Sequence, residues 1–303
     1  MIMAQTAAIS QGMKAARRRE NIAAYIFMTP SLLFFLGFVV FPMGMCLVTS
    51  FFNYTMSDFS FVGLANYQEM FGDAIFTRAL INTLIIVVVS VPVTCMFSLW
   101  VASIIYQMRQ ASTSFFRCVF YLPVVTGSVA VTVVWKWIFN NYTGVLNYLA
   151  KNLGLIAKNV NWLGDPNTAL WCIITILLTT SVGQPIVLYV SALGNVDQTL
   201  VEAAQVDGAT DLQVFWRIKW PQMMPTTLYI VVITTINSFQ CFALIQLLTS
   251  GGPNHATDTV MYYIYSTAFM SPFRFGYGNA MGVILALFIA ALSAVQFWLG
   301  REK

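Results

Sequence analysis

Six stretches of this chain run for 18 to 38 residues without a single Asp, Glu, Lys or Arg: 21–57, 79–108, 118–135, 166–196, 220–257 and 275–300. About 20 apolar residues in a helix are enough to cross the hydrocarbon core of a bilayer. The pattern therefore predicts six membrane-spanning helices, at 22–50, 79–106, 117–139, 168–193, 226–249 and 279–299. Pro30, Pro42, Pro92, Pro123 and Pro185 fall inside them. Membrane helices tolerate proline because neighbours satisfy the freed carbonyls, and the kinks open gaps between helices. The shortest run ends at Lys136 between Trp135 and Trp137, where a lysine can snorkel to the interface beside two belt-forming rings. Loops at 51–78, 140–167 and 250–278 carry turn signals such as Gly164-Asp165-Pro166 and Gly251-Gly252-Pro253, the latter stopping helix five. With no internal repeat or flexible linker, one unit is expected: a cytoplasmic N-terminal segment at 1–21, then a six-helix domain at 22–300 with a long loop at 194–225.

Composition strengthens this reading. Only 9% of the 303 residues are charged, 58% are hydrophobic, and the mean hydropathy is +0.74. A water-soluble domain carries about 25% charged residues. Arg17-Arg18-Arg19 before the first apolar run resembles the start of a signal peptide, but that run far exceeds an h-region of about 7–15 residues and no small-x-small site follows promptly. It is read as a retained helix. With the N-terminus inside, ten basic residues fall on the cytoplasmic side (Lys14, Arg17, Arg18, Arg19, Arg109, Arg117, Arg217, Lys219, Arg301, Lys303) and five on the other. The positive-inside rule then puts both termini in the cytoplasm. The net charge of +4 follows from orientation and points to no nucleic acid. The five cysteines form no CxxC pair and read as small buried hydrophobes; His255 and Asp258 have no ligand spacing around them, so no metal site is expected.

The loop at 194–225 holds four of the eleven acidic residues: Asp197, Glu202, Asp207 and Asp211. Thr199 with Glu202 fits a capping box, and Gly208 suits the stop after that helix. Thr210 with Gln213 fits a second box, whose helix carries Leu212, Phe215, Trp216 and Ile218 as an apolar stripe and ends near Lys219, before Pro221. A connector needs only a few residues. Capping and composition leave two readings open: a docking surface for a partner, or an amphipathic pair resting on the lipid interface.

Glu202-Ala203-Ala204, Asp207-Gly208-Ala209, Ile218 and Pro221 resemble, in residue type and spacing, the EAA loop of permease subunits in binding-protein-dependent ABC importers. The family's usual Leu-Pro ending is Trp220-Pro221 here. Phe61-Val62-Gly63-Leu64, Asn82-Thr83, Trp162-Leu163-Gly164-Asp165-Pro166 and Thr249-Ser250-Gly251-Gly252-Pro253 are similar to the carbohydrate branch, which includes the first permease of maltose, lactose, multiple-sugar and glycerol-3-phosphate importers. The resemblance implies an all-α membrane protein of the type I ABC importer permease fold, in a bacterial inner membrane, whose coupling helix inserts into a groove of an ATPase. It implies a second permease subunit in a heterodimer, two ATP-binding cassette subunits and an extracytoplasmic solute-binding protein. No phosphate-binding loop is present, so the chain is read as a transport subunit and not an enzyme, with no cofactor of its own and Mg-ATP on the partner.

A sugar needs neutral groups that both donate and accept hydrogen bonds. In helix five, Thr234, Asn237, Ser238 and Cys241 recur at i, i+3, i+4 and i+7 and are expected on one face. Gly183, Gln184 and Pro185 are expected to break helix four and bare backbone to a cavity, and Ser128 lies in helix three. The resemblance to the maltose permease places a sugar pocket at positions matching Ser128, Gly183, Ile186, Thr234, Asn237, Ser238 and Cys241. The same residue types also hydrogen-bond across membrane helices for about 0.6 kcal/mol. The alternative function, an ion-gradient-driven secondary transporter, usually needs Asp, Glu, His or Arg at helix centres, and none falls at the centre of an expected helix.

Overall fold

The computed structural model describes the backbone of residues 2–270 and 272–301 and the side chains of 17–270 and 272–300. Helix α1 (Ile2–Phe35) begins twenty residues before the expected start at 22 and passes through a π-helical turn at 36–40 into α2 (Phe41–Thr49). Pro42 explains the widened turn. A proline cannot donate to the carbonyl four residues back, and its ring collides with it; a π-turn absorbs the misfit without ending the helix.

Residues 51–78, expected as loop, hold a two-stranded antiparallel hairpin, β1 (Phe52–Tyr54) and β2 (Phe59–Phe61), and a short helix α3 (Ala65–Gly72). Asp73 then caps α4 (Ala74–Tyr106), accepting from the N–H groups of Ile75 (2.8 Å) and Phe76 (3.3 Å). The helix expected at 117–139 starts earlier and is broken: α5 (Gln110–Val125) and α6 (Ser128–Ile138) meet at 94° across the extended pair Thr126-Gly127. Helix α7 (Val145–Asn152) follows. Its Asn147 carboxamide ties the outer loop together, donating to Asn141 O and Val160 O and accepting from Trp162 Nε1.

Helices α8 (Ala169–Ser181) and α9 (Gly183–Gly194) are bent by 40° at Val182, where the Gly183-Gln184-Pro185 break was expected. The long loop contains α10 (Gln198–Val206) and α11 (Asp211–Val214). A second π-helical turn at 215–219 carries α11 directly into α12 (Trp220–Phe239). Pro221 therefore does not end a helix as expected; like Pro42, it follows a π-turn and sits in the first turn of the next segment. Helices α13 (Ala243–Leu248) and α14 (Val260–Phe269) precede the last helix, α15 (Phe275–Arg301). Helix α14 falls in a segment expected as loop.

Among the described residues, four helical stretches are long and apolar enough to cross a membrane, and counting each bent pair as one span brings the total to six. The chain is thus a multi-pass membrane protein of helices, plus one hairpin. Its core divides by depth. At the long-loop end, Val101, Ile105, Tyr189 and Leu193 pack against Val201, Val214 and Met223. At the hairpin end, Met70, Phe76, Val260 and Tyr277 pack together, joined by Asp73, whose carboxylate accepts from the hydroxyls of Tyr263 (2.6 Å) and Tyr277 (2.8 Å).

Candidate functional site: a loop elbow and a neutral cleft

The elbow at 197–221 is built from local capping. The first expected capping box does not form. Asp197 caps α10 by accepting from Thr199 N (2.9 Å), and Thr199 spends its hydroxyl on the same carboxylate, leaving Glu202 exposed. The second box forms as expected: Gln213 N donates to Thr210 Oγ1 and Thr210 N to Gln213 Oε1 (2.8 Å). Between them Gly208 stands at φ +81°. Ala209 N donates to Ala204 O (2.9 Å) and Gly208 N to Gln205 O (3.0 Å). This is the Schellman pair, which requires the left-handed residue that glycine supplies without strain.

The elbow has two sides. Ala204, Ala209 and Ile218 are half-buried and pack on the cluster that contains Val101, Ile105 and Leu193, so they hold the elbow to α4 and α9. Asp197 N also donates to Gln222 Oε1 (3.1 Å), and Gln198 Nε2 to Tyr106 Oη (3.3 Å). Glu202, Ala203, Asp207, Gly208 and Pro221 face outward. So do Leu200, Leu212, Trp216 and Val206, the last 88% exposed. The expected stripe of Leu212, Phe215, Trp216 and Ile218 is therefore split, with Leu212 and Trp216 presented outward and Ile218 turned in.

The neutral cleft lies at the bend between α8 and α9, facing α12. Gln184, Thr234 and Asn237 line a space of about 140 Å³ together with Thr180 and Ser181. Val124 and Thr180 also border an adjoining space of about 460 Å³, on which Ser128, Gln240 and Cys241 open. Among the described residues, no charged side chain lines either space. Pro185 can return no hydrogen bond to the carbonyl of Ser181, which leaves an acceptor at the cleft wall. Thr180, Ser181 and Gln240 were not singled out from the sequence, although the i−4 relation of Ser181 to Pro185 was the available signal.

The remaining predicted residues serve packing. Ile186 is fully buried in the core at the long-loop end. A Cβ on Gly183 would lie 2.3 Å from Phe120 O, so glycine lets α9 touch α5. Ser238 is buried and hydrogen-bonded to Ser90 (2.9 Å), joining α12 to α4. The four-residue face on helix five does not persist, because α12 ends at Phe239 and Cys241 lies in the break before α13.

Residues 70–302 match the family described as the binding-protein-dependent transport system inner membrane component. The chain belongs to this family. Such permeases are transport subunits of ABC importers and are not themselves enzymes. A probable ABC transporter permease protein of Bacillus subtilis, YurN, is 33% identical over 293 residues, covering 94% of this chain and 99% of the relative. The lactose transport system permease protein LacF of Rhizobium radiobacter is 29% identical, covering 95% and 97%. Among solved structures, a chain of a bacterial alginate ABC transporter, in complex with an alginate pentasaccharide-bound periplasmic protein, superposes with a TM-score of 0.82 at 24% identity over 94% of this chain and 96% of that one. It confirms the permease fold.

Proposed function

We propose that this permease subunit forms one wall of the path by which an uncharged sugar or oligosaccharide enters a bacterial cytoplasm, and that its elbow transmits ATP-driven motion from a partner ATPase. The observation that carries the reading is the cleft at the α8–α9 bend, where Gln184, Thr234 and Asn237 offer amide and hydroxyl groups and no charge. Such groups match sugar hydroxyls as donors and acceptors, and the lactose permease relative supports the same substrate class. The outward apolar side chains Val206, Leu212 and Trp216 suit insertion into a groove on the ATPase, which binds the Mg-ATP. Each chain carries one such elbow and two ATPase subunits need one each, so a second permease, most simply a related subunit in a heterodimer, completes the path. An extracytoplasmic solute-binding protein delivers the sugar. The excess of basic residues near Arg17–Arg19 supports cytoplasmic termini.

The test is uptake by the reconstituted complex in proteoliposomes, with ATP inside and a panel of labelled neutral and anionic sugars outside. Uptake of a neutral sugar that requires ATP and the binding protein is the expected result. Uptake that continues without ATP while an ion gradient persists overturns the reading in favour of a secondary transporter.

A further inference from the structure

The hairpin that follows α2 has two chemically distinct faces. Its register pairs Phe52 with Phe61, Asn53 with Ser60 and Tyr54 with Phe59. Alternation along a strand therefore puts four aromatic rings on one face and Asn53 and Ser60 on the other. The rings form a continuous cluster: Phe52 stacks on Phe59 at 4.7 Å and meets Phe61 edge-on at 5.3 Å, and Tyr54 meets Phe59 edge-on at 5.3 Å. The polar face is satisfied within the hairpin, because Asp58 Oδ2 accepts from Asn53 Nδ2 (2.6 Å) and Ser60 Oγ (2.9 Å). Apart from Tyr54, which meets Phe275, the described residues leave the outer part of the aromatic face uncovered. Phe61 is 71% exposed and Phe59 59%.

The hairpin is fixed at a definite depth. Asn66 Nδ2 donates to the carbonyls of Ser50 (2.8 Å) and Phe52 (2.9 Å). On the other side Tyr54 rests 5.0 Å from Phe275, and Phe52 O approaches Gly276 so closely that a Cβ there would be 2.0 Å away. Phe275 opens the last membrane-spanning helix and Thr49 closes the first, so the rings lie where two spans leave the hydrocarbon. A groove of about 450 Å³ joins hairpin and span, with Met45 of α2, Met56 and Phe59 as apolar walls and Thr55, Ser57 and Asp58 at the polar lip. Met45 continues an exposed apolar surface along α2 that includes Phe41 and Val48.

We propose that the aromatic face of this hairpin is a phospholipid-docking surface, its rings at the headgroup–acyl boundary and the groove between α2 and the hairpin holding part of an acyl chain. Three observations favour lipid over a protein partner. The apolar surface is continuous with a membrane span, the anchoring to Phe275 and Gly276 holds the rings at interface depth, and Asp58, the only charged group among the described residues that line the groove, already has partners inside the hairpin. Aromatic side chains concentrate at that depth because an apolar body with an uncharged polar rim suits it.

The test places the photoreactive analogue p-benzoylphenylalanine at Phe61, and separately at Met56 on the tip, in the complete transporter with its partner subunits and binding protein. The complex is embedded in nanodiscs of phosphatidylethanolamine and phosphatidylglycerol, irradiated, and the adducts are weighed by mass spectrometry. Adducts carrying the mass of a phospholipid at both positions are expected. An adduct to the binding protein or to the second permease overturns the proposal. So does a probe that remains unattached, as one facing water would. The outcome is independent of sugar transport, since it is read without substrate.

Discussion

Gly208 separates a backbone requirement from a contact requirement, because nothing lies within 4 Å of where its Cβ would be. Any effect of a substitution there must come from φ +81° itself. An L-residue held in the left-handed region costs about 1–2 kcal/mol, while Asn is tolerated there. A β-branched side chain stands at the upper end of about 1–3 kcal/mol. The predicted order of damage is therefore Gly208→Asn, then Gly208→Ala, then Gly208→Val. One to two kcal/mol corresponds to a factor of about 5–30 in an equilibrium. If the elbow must keep the Schellman geometry to dock, affinity for the ATPase subunit should fall by that factor for Gly208→Ala and further for Gly208→Val. The assay is titration of the purified ATPase against the permease pair in nanodiscs, with membrane abundance measured in parallel and uptake scored in cells. Abundance should change little, because the elbow's inward anchors Val201 and Val214 are untouched. Wild-type docking and uptake by Gly208→Val would refute the reasoning. So would an Asn variant as damaged as the Val variant, since that would point to contact and not conformation.

Three further outcomes are expected. Gly183→Ala places a methyl 2.3 Å from a backbone oxygen and 2.8 Å from Val124 Cγ2; α5 and α9 must part, lowering stability by about 1–3 kcal/mol and disturbing a cleft that Val124 lines, which thermal melts and uptake both read. Asn237→Ala should raise the KM for uptake at unchanged stability, whereas Ser238→Ala should leave KM alone and lose about 0.6 kcal/mol of cross-helix bonding to Ser90; the reverse pattern would put Ser238 on the sugar path. Burial pushes the Asp73 carboxyl up, but the hydroxyls of Tyr263 and Tyr277 and the N–H groups of Ile75 and Phe76 outweigh it and hold the group below its ordinary value. Its stabilisation is thus complete above about pH 4–5 and is lost as pH falls through the lowered folded value; Asp73→Ala should cost about 1.5–3 kcal/mol and flatten that acid limb of a melting curve.

What the sequence revealed depended on how local each cause was. Six charge-free runs gave the spans because a bilayer selects on composition alone, and Gly208 and the Thr210–Gln213 box were readable because each involves a few consecutive residues. Thr199 was misread because two capping residues stood two apart. The long-range bond from Asp197 N to Gln222 fixes the approach of the chain and favours the aspartate. Pro221 was misread because a proline normally ends a helix, yet a π-turn that the sequence does not announce lets the helix run through. The hairpin did alternate, Phe-Asn-Tyr against Phe-Ser-Phe, but three residues are too few to distinguish a strand from chance. Ser238 and Ser90 are 148 residues apart, so no inspection of one helix could separate the serine that braces from the asparagine that faces the cleft.

The same geometry says which piece should carry motion from elbow to cleft. Helix α9 begins at Gly183, beside Gln184 in the cleft, and ends at Gly194, just past Leu193 in the cluster that grips Val201 and Val214. Its twelve residues span about 18 Å at 1.5 Å each. The bend at Val182 frees it from α8, which stays with the outer cluster of Cys172, Ile173 and Ile176. A displacement of the elbow would therefore tilt α9 about Val182 and move Gln184 relative to Thr180, while Thr234 and Asn237 stay braced through Ser238 to α4. If the elbow couples as proposed, two rigid bodies and one hinge would suffice. On that account a cysteine crosslink fixing α9 to α8 across Val182 should abolish uptake while leaving ATPase docking intact, and a crosslink within α9 should leave both uptake and docking intact.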